Sequence, residues 1–252
     1  MKIKFIGHSG FFVELPEMSL LFDYYKGELP EADPEKPLFI FVSHAHEDHY
    51  TGKIFTYLDR TEDVTFFLSD DIPESSVPER ARGHVRFVGP DSAAAVSRLV
   101  EDPAAGRKRG RTILELHTYR STDEGVAFLV DAGDVRIYHA GDLNDWHWDE
   151  EDQAFNREQR EGYTAALRKI AYLVRKDSHV PDLAFIPLDS RLGEFFWMGM
   201  DEYMKAVGAA HVFPMHLFGD PSVIGRMRSM PCAAEYADRI LGTGTAGEEF
   251  DL

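Results

Sequence analysis

Short apolar runs separated by turn residues fill the first half of the chain. KIKFIG and GFFVEL are rich in β-branched and aromatic residues and read as strands, with SLLFDYY following the turn at 16–19. A loop rich in Pro, Glu and Asp spans 28–37. LFIFVS (38–43) is apolar almost throughout, which predicts a strand buried on both faces. TGKIFTYLDR reads as helix. VTFFLS and HVRFVG predict two more strands, and the polar stretch EDPAAGRKRGRT (101–112) predicts an exposed turn. TILELH, GVAFLVDAG and VRIYHAG predict three further strands, the last two joined as a hairpin through 131–134.

The period changes between 149 and 176. Tyr163, Leu167, Ile170 and Val174 recur at helical spacing with charges between them. The acidic run WDEEDQ before them suits a helix start, where carboxylates complement the dipole. DLAFIPLD then reads as a strand, DEYMKAVG as a helix with Asp201 at its N-cap, AHVFPMH as a strand and CAAEYADRIL as a last helix. No internal repeat and no domain-scale linker interrupts this order. The expectation is a single α/β domain over 1–252, with helices covering the outside of packed sheets.

Composition narrows the function. Acidic residues outnumber basic ones 44 to 27, for a net charge of −17, so nucleic acid is not an expected partner. A small anionic substrate stays open, because a bound metal reverses the field locally. Cys232 is the only cysteine, so no internal disulfide forms, which fits a reducing compartment. No stretch approaches the roughly 18 apolar residues of a membrane span, and MKIKFIGHSGFFVELPE lacks a signal-peptide core. The expectation is a soluble cytoplasmic protein acting on a small molecule, with no membrane partner and with homo-oligomerisation open.

The chemistry concentrates in SHAHEDHY, which places His44, His46, Asp48 and His49 directly after the apolar run at 38–43. Neutral imidazoles and carboxylates are ligands for zinc and its first-row neighbours. On a regular helix adjacent side chains diverge by about 100°. A strand-to-helix loop instead lets an H-x-H pair converge on one ion, with an Asp-His pair one turn later facing a second.

The array H44-A-H46-E-D48-H49 resembles the signature of the metallo-β-lactamase superfamily, an αββα sandwich with a binuclear metal site along one edge of its two sheets. YHAGD (138–142) resembles the segment whose aspartate bridges the metals, here Asp142. FPMH (213–216) resembles the segment supplying the last histidine, here His216, and LLFD (20–23) the strand whose aspartate buttresses the ligands, here Asp23. GHSGFFVE (7–14) and the YHAGD variant look most like the L-ascorbate-6-phosphate lactonase-like branch. The resemblance implies two divalent ions, zinc foremost, with manganese or iron as alternatives. His44, His46 and a third histidine would hold the first. Asp48, His49 and His216 would hold the second, and Asp142 would bridge. It also implies a metal-bound hydroxide as nucleophile, with Asp48 orienting it or accepting a proton. The third-histidine segment departs from the family pattern: in HTYRSTDEG (117–125) either His117 or Ser121 falls on the ligand position, with Asp123, Glu124 and His147 as substitutes.

Other residues flank this set. His8 precedes a strand within the family-like motif and is a candidate for lining the site. His139 lies three residues before Asp142, where strand alternation turns it to the opposite face. Trp146, His147 and Trp148 follow Asp142 and suit a pocket wall, with His147 as a proton donor, or a packing anchor. Asp189 and Arg191, at the end of another strand, suit either an internal ion pair or recognition of an anionic substrate group. The function expected is metal-dependent hydrolysis of a lactone, ester or phosphoester. An iron-dependent redox enzyme and a non-hydrolytic metal-binding protein on the same fold are the alternatives.

Overall fold

The computed structural model describes residues 1–102 and 107–252. In chain order the strands are β1 (Lys2–Gly7), β2 (Gly10–Glu14), β3 (Ser19–Phe22), β4 (Leu38–Val42), β5 (Val64–Ser69), β6 (Val85–Val88) and β7 (Ala93–Asp102). They continue with β8 (Arg107–Arg120), β9 (Val126–Ala132), β10 (Val135–His139), β11 (Leu183–Pro187), β12 (His211–Met215) and β13 (Glu249–Asp251). The α-helices are α1 (Gln153–Asp177), α2 (Met198–Ala206) and α3 (Ser222–Arg228).

The strands form a seven-stranded sheet of order β13-β1-β2-β3-β4-β5-β6 and a six-stranded sheet of order β12-β11-β10-β9-β8-β7. Alternation along the strands feeds two cores. In β4, Phe39 and Phe41 face the second sheet, whereas Leu38, Ile40 and Val42 face the other way. Phe41 stacks on Phe22 at 4.7 Å and meets Phe128 of the second sheet edge-on at 5.5 Å. On the outer face of the second sheet, Tyr138 stacks on Tyr203 of α2 at 4.6 Å, and α1 buries Tyr163, Leu167, Ile170 and Val174. The layers are therefore the αββα order expected. The layer over the first sheet, however, is built from 3₁₀ segments, chiefly Gly52–Asp59 and Glu79–His84. No helix among the described residues is long and apolar enough to cross a membrane.

Several elements differ from the pattern. The helix expected at TGKIFTYLDR is one of these 3₁₀ segments. The polar stretch 101–112 is not one turn: residues 107–112 belong to β8, and residues 103–106 lie outside the described residues. Before it, AAAVSRLV forms β7, a strand whose small residues gave no signal. The helix of DEYMKAVG begins earlier, at Met198, so Asp201 sits in its first turn rather than at its cap. CAAEYADRIL forms two short 3₁₀ turns, and the helix of this region is Ser222–Arg228.

The connections matter most for function. β3, β4 and β5 run parallel in one sheet, and β10, β11 and β12 run parallel in the other. Parallel strands end at the same edge, so the residues that follow β3, β4, β10, β11 and β12 gather along one rim of the sandwich. Asp23, His44, Asp142, Asp189 and His216 all follow those strand ends.

Candidate metal centre

β4 ends at Val42 and the chain turns sharply, with the His49 and Tyr50 amides both donating to the His46 carbonyl at 3.0 and 2.9 Å. This turn fans His44, His46, Asp48 and His49 into one space. It is held from the second sheet by Gly125, at φ +66°, where an added Cβ would lie 2.0 Å from the Ser43 carbonyl and 2.6 Å from the His44 Cβ. Only glycine fits that approach. His8 (φ 53°), Asp23 (φ 40°), His216 (φ 60°) and Phe218 (φ 47°) also have left-handed backbone. Such conformations cost of order 1–3 kcal/mol each and gather where a site over-determines them.

Hydrogen bonds assign the imidazole tautomers. Asp23, fully buried, accepts the Ser43 amide at 2.8 Å, the Ser43 hydroxyl at 2.6 Å and His49 Nδ1 at 2.8 Å. Because the Ser43 hydroxyl donates to Asp23, it accepts from His44 Nδ1 at 2.9 Å. His216 Nδ1 donates to Asp189 at 3.1 Å. In all three rings Nδ1 is committed to a partner outside the centre and Nε2 is aimed into it, as a ligating histidine requires. Burial disfavours the charged forms of His49 and His216, yet Asp142 raises both, so a bound cation would take the place of a proton at these Nε2 atoms. The Nε2 atoms of His8, His44 and His49 and Oδ1 of Asp142 are buried without hydrogen-bond partners among the described residues. Buried polar atoms are rarely left so, and a cluster of imidazole nitrogens gathered around carboxylates suits a cation.

These atoms form two groups. His8, Asp48, His49 and His216 offer ligand atoms within 4.8 Å of one another, as do His44, His46 and Asp142. Asp142 joins them. Its Oδ1 lies 3.2 Å from His49 Nε2 and 3.5 Å from His216 Nε2, and its Oδ2 lies 3.6 Å from His44 Nε2. Burial would raise the Asp142 carboxyl, yet His49 and His216 hold it well below the usual carboxylate range. Burial, with the neighbouring histidines, lowers His44 and His8. The contact of His8 Nε2 with Asp48 Oδ2, at 3.2 Å, keeps Asp48 ionised. The donor set, two imidazole-rich groups sharing a carboxylate, fits divalent metal.

The structure thus brings together His44, His46, Asp48, His49, Asp142 and His216. It places His8 among the donors rather than beside them. Its left-handed backbone turns the ring inward, 4.4 Å from His216, and the sequence carries no signal for that. Ser43, the link between Asp23 and His44, was also missed. Its position just before the first histidine was the available signal.

His117 is not brought to the site. In the β8–β9–β10 register it is level with Leu129 and Tyr138, on the face covered by α2. Thr118, its neighbour, takes the face turned to the first sheet. Strand phase therefore corrects the expectation of a ligand. His117→Ala is expected to leave the metal content per chain unchanged in elemental analysis, and the loss of an ion would return His117 to the centre. The structure does not bring His147 to the cavity either: its ring packs on Phe195 at 4.0 Å, outside the residues lining the cavity. His139 donates Nε2–H to the Ser9 carbonyl at 2.9 Å and accepts the Gly141 amide at 3.1 Å, leaving no lone pair for a metal. It supports the loop leading to Asp142. Ser121 spends its hydroxyl on the Asp123 amide at 3.1 Å.

Over the two groups opens a cavity of about 250 Å³, lined by His46, Asp48, Asp123, Asp142 and His216 at its floor and by Trp146, Trp148, Phe155, Gln159, Arg191 and Phe218 at its walls. Burial and the nearby Asp142 raise the Asp123 carboxyl. Glu124 approaches His46 Nε2 at 3.5 Å. The Trp146 indole donates to the Asp142 carbonyl at 2.9 Å and lies 5.4 Å from His216. A larger hollow of about 640 Å³ runs beside β1, but no histidine lines it and it shares no residue with the cavity.

The sequence profile of the beta-lactamase superfamily domain matches residues 2–158. A UPF0173 metal-dependent hydrolase of Desulforamulus reducens is 28% identical over 227 residues, covering 86% of this chain and 84% of that protein. Among solved structures, Igni18, a metallo hydrolase of Ignicoccus hospitalis, has a TM-score of 0.59 at 19% identity, over 100% of this chain and 98% of that one. YhfI of Bacillus subtilis, a metallo-beta-lactamase fold protein, has a TM-score of 0.57 at 13% identity, over 99% of each chain. At these identities the two structures speak for the fold alone.

Proposed function

The chain belongs to the beta-lactamase superfamily, and from that premise we propose that it is a metal-dependent hydrolase that cleaves a lactone, ester or phosphoester at two divalent ions. The observation that carries the reading is the set of unpartnered buried atoms, Nε2 of His8, His44 and His49 with Asp142 Oδ1, facing one space. His44, His46 and Asp142 would hold the first ion. Asp48, His49, His216 and Asp142 would hold the second, with His8 beside Asp48. Asp123 is the residue we assign to the first ion's missing third-histidine position, because it lines the cavity floor beside His46 and Asp142.

When bound, such ions supply Lewis acidity to the oxygen under attack and lower the pKa of the attacking water. The protein's residues do the rest. Asp23, Ser43 and Asp189 fix the Nδ1 protons, so the rings present their lone pairs without reorganisation. Asp48, kept ionised by His8, is placed to accept a proton from water or to orient it. Trp146, Trp148 and Phe218 exclude bulk solvent from the floor.

The test is elemental analysis of protein purified without chelator, followed by stripping and assay on a lactone, an aryl ester and an aryl phosphodiester. Two ions per chain are expected, with hydrolysis lost on stripping and restored by zinc or manganese. Protein that carries no metal and is not activated by it overturns the reading. A carboxylate at the third position suits iron or manganese better than an all-histidine set, so a redox reading is kept on Asp123. Iron retained with oxygen consumption and no hydrolysis would put it first.

A further inference from the structure

We propose that Arg191 is a substrate anchor, and that the substrate carries a carboxylate or phosphate group joined to a flat apolar body. The inference rests on the hydrolase reading for what happens at the metals, but the binding it describes is measurable without turnover.

Arg191 stands at the cavity wall on the loop after β11. Its Nε and Nη2 grip Asp189 at 2.6–3.0 Å, and its guanidinium carbon sits over the Phe218 ring, 3.3 Å from the centroid, with the Trp148 ring at 5.4 Å. Asp189 accepts the Arg191 amide and His216 Nδ1 as well, so its carboxylate is fully used within the protein. Arg191 is not: its Nη1 makes no hydrogen bond among the described residues, and the side chain is 43% exposed. The guanidinium is thus held on one edge by Asp189 and on one face by Phe218, with the remaining edge open to the cavity. A planar fork fixed in this way recognises a carboxylate or phosphate with little loss of side-chain freedom.

The remaining wall indicates what else the ligand carries. Trp146 and Trp148, with ring centroids 6.2 Å apart and planes 9° from parallel, line the cavity between Arg191, 5.4 Å from Trp148, and His216, 5.4 Å from Trp146, and give it an aromatic wall. Gln159 Oε1 lines the same wall, buried and without a partner among the described residues, and suits a hydroxyl or amide N–H of the ligand. The chain is acidic overall, with a net charge of −17, so a fixed guanidinium in the cavity over the two donor groups selects anions against the global field. Asp189 also ties the anchor to His216. A ligand drawn to Arg191 is therefore registered against the second group of donors.

The experiment uses metal-loaded protein, Arg191→Met and Arg191→Lys, with metal content and melting temperature recorded for each. Calorimetry measures binding of phenylacetate, phenylphosphonate and, as the neutral control, benzyl alcohol. Hydrolysis is compared for mono-p-nitrophenyl glutarate, which is anionic, and p-nitrophenyl butyrate, which is neutral. The Met variant is expected to weaken an anionic probe about ten- to a hundredfold, to lower kcat/KM on the anionic ester alike, and to change the neutral ligands less than about twofold. The Lys variant, which keeps the charge and loses the fork, falls between. The probe that suffers more identifies carboxylate or phosphate as the anchored group. Equal losses on charged and neutral ligands, or no loss on either anion, overturn the proposal. If neither ester is hydrolysed while anion binding still collapses in the Met variant, the anchor stands and the hydrolase reading fails.

Discussion

Asp142→Ala is expected to abolish hydrolysis and to cost metal affinity by more than about a hundredfold, a floor set by the 10–100-fold losses seen when only a ligand's supporting partner is removed. Asp142 is the one carboxylate whose two oxygens reach both donor groups, His49 and His216 through Oδ1 and His44 through Oδ2. Without it, no carboxylate spans the two groups, and Asp48 and Asp123 alone would offset the charge of the ions. Asp142→Asn keeps the shape and one neutral acceptor, and is expected to retain at most one ion. Elemental analysis and calorimetric titration with zinc check both variants. An Ala variant that binds two ions at wild-type affinity would sink the bridging role and with it the binuclear reading.

How much of this was legible in the sequence depends on whether the chemistry was local. His44, His46, Asp48 and His49 were readable because one tight loop carries them, and a short array of such residues has few structural uses. Asp142 and His216 were readable only through the resemblance of YHAGD and FPMH to the family's segments; the structure supplies the physical reason, since both follow strands of one parallel set that end at a common edge. His117 misled for the same reason. It lies near a strand end, but one residue of phase separates it from Thr118 and the other face of the sheet. The alternation carried that phase: Leu114, Leu116 and Thr118 are buried, whereas Glu115 is exposed and His117 half-buried on the other face. His8 was placed near the site but not in it, because its inward turn depends on a left-handed backbone that tertiary contacts impose. The elements lost, β7, α3 and β13, share a different cause. Small or mixed residues on elements at a sheet edge and near the chain end carry weak periodicity, and packing rather than propensity decides them.

Asp23 offers the sharpest separation of stability from function. Asp23→Ala removes a fully buried carboxylate that accepts three hydrogen bonds, two from Ser43 and one from His49. Breaking a buried charged network from one side costs about 3–5 kcal/mol, which in a chain of this size lowers Tm by roughly 6–20 °C. Asp23→Asn is expected to behave differently. Its oxygen can still accept the Ser43 amide, so much of the fold's support survives. Its NH2 group then meets His49 Nδ1–H and the Ser43 hydroxyl, and donors face donors. The conflict resolves only if the protons reverse. His49 turns its Nδ1 lone pair to the amide and moves its proton to Nε2. Ser43 accepts from the amide and donates to His44 Nδ1, which drives the His44 proton to Nε2 as well. One neutral substitution therefore takes the ligating lone pair from a histidine in each donor group. The expected result is a variant that melts within a few degrees of the wild type but binds metal about 10–100-fold more weakly, with both ions affected. Thermal melts of the metal-free protein and zinc titrations separate the two effects. Wild-type metal affinity in the Asn variant would mean that Asp23 holds the loop in place without setting the tautomers.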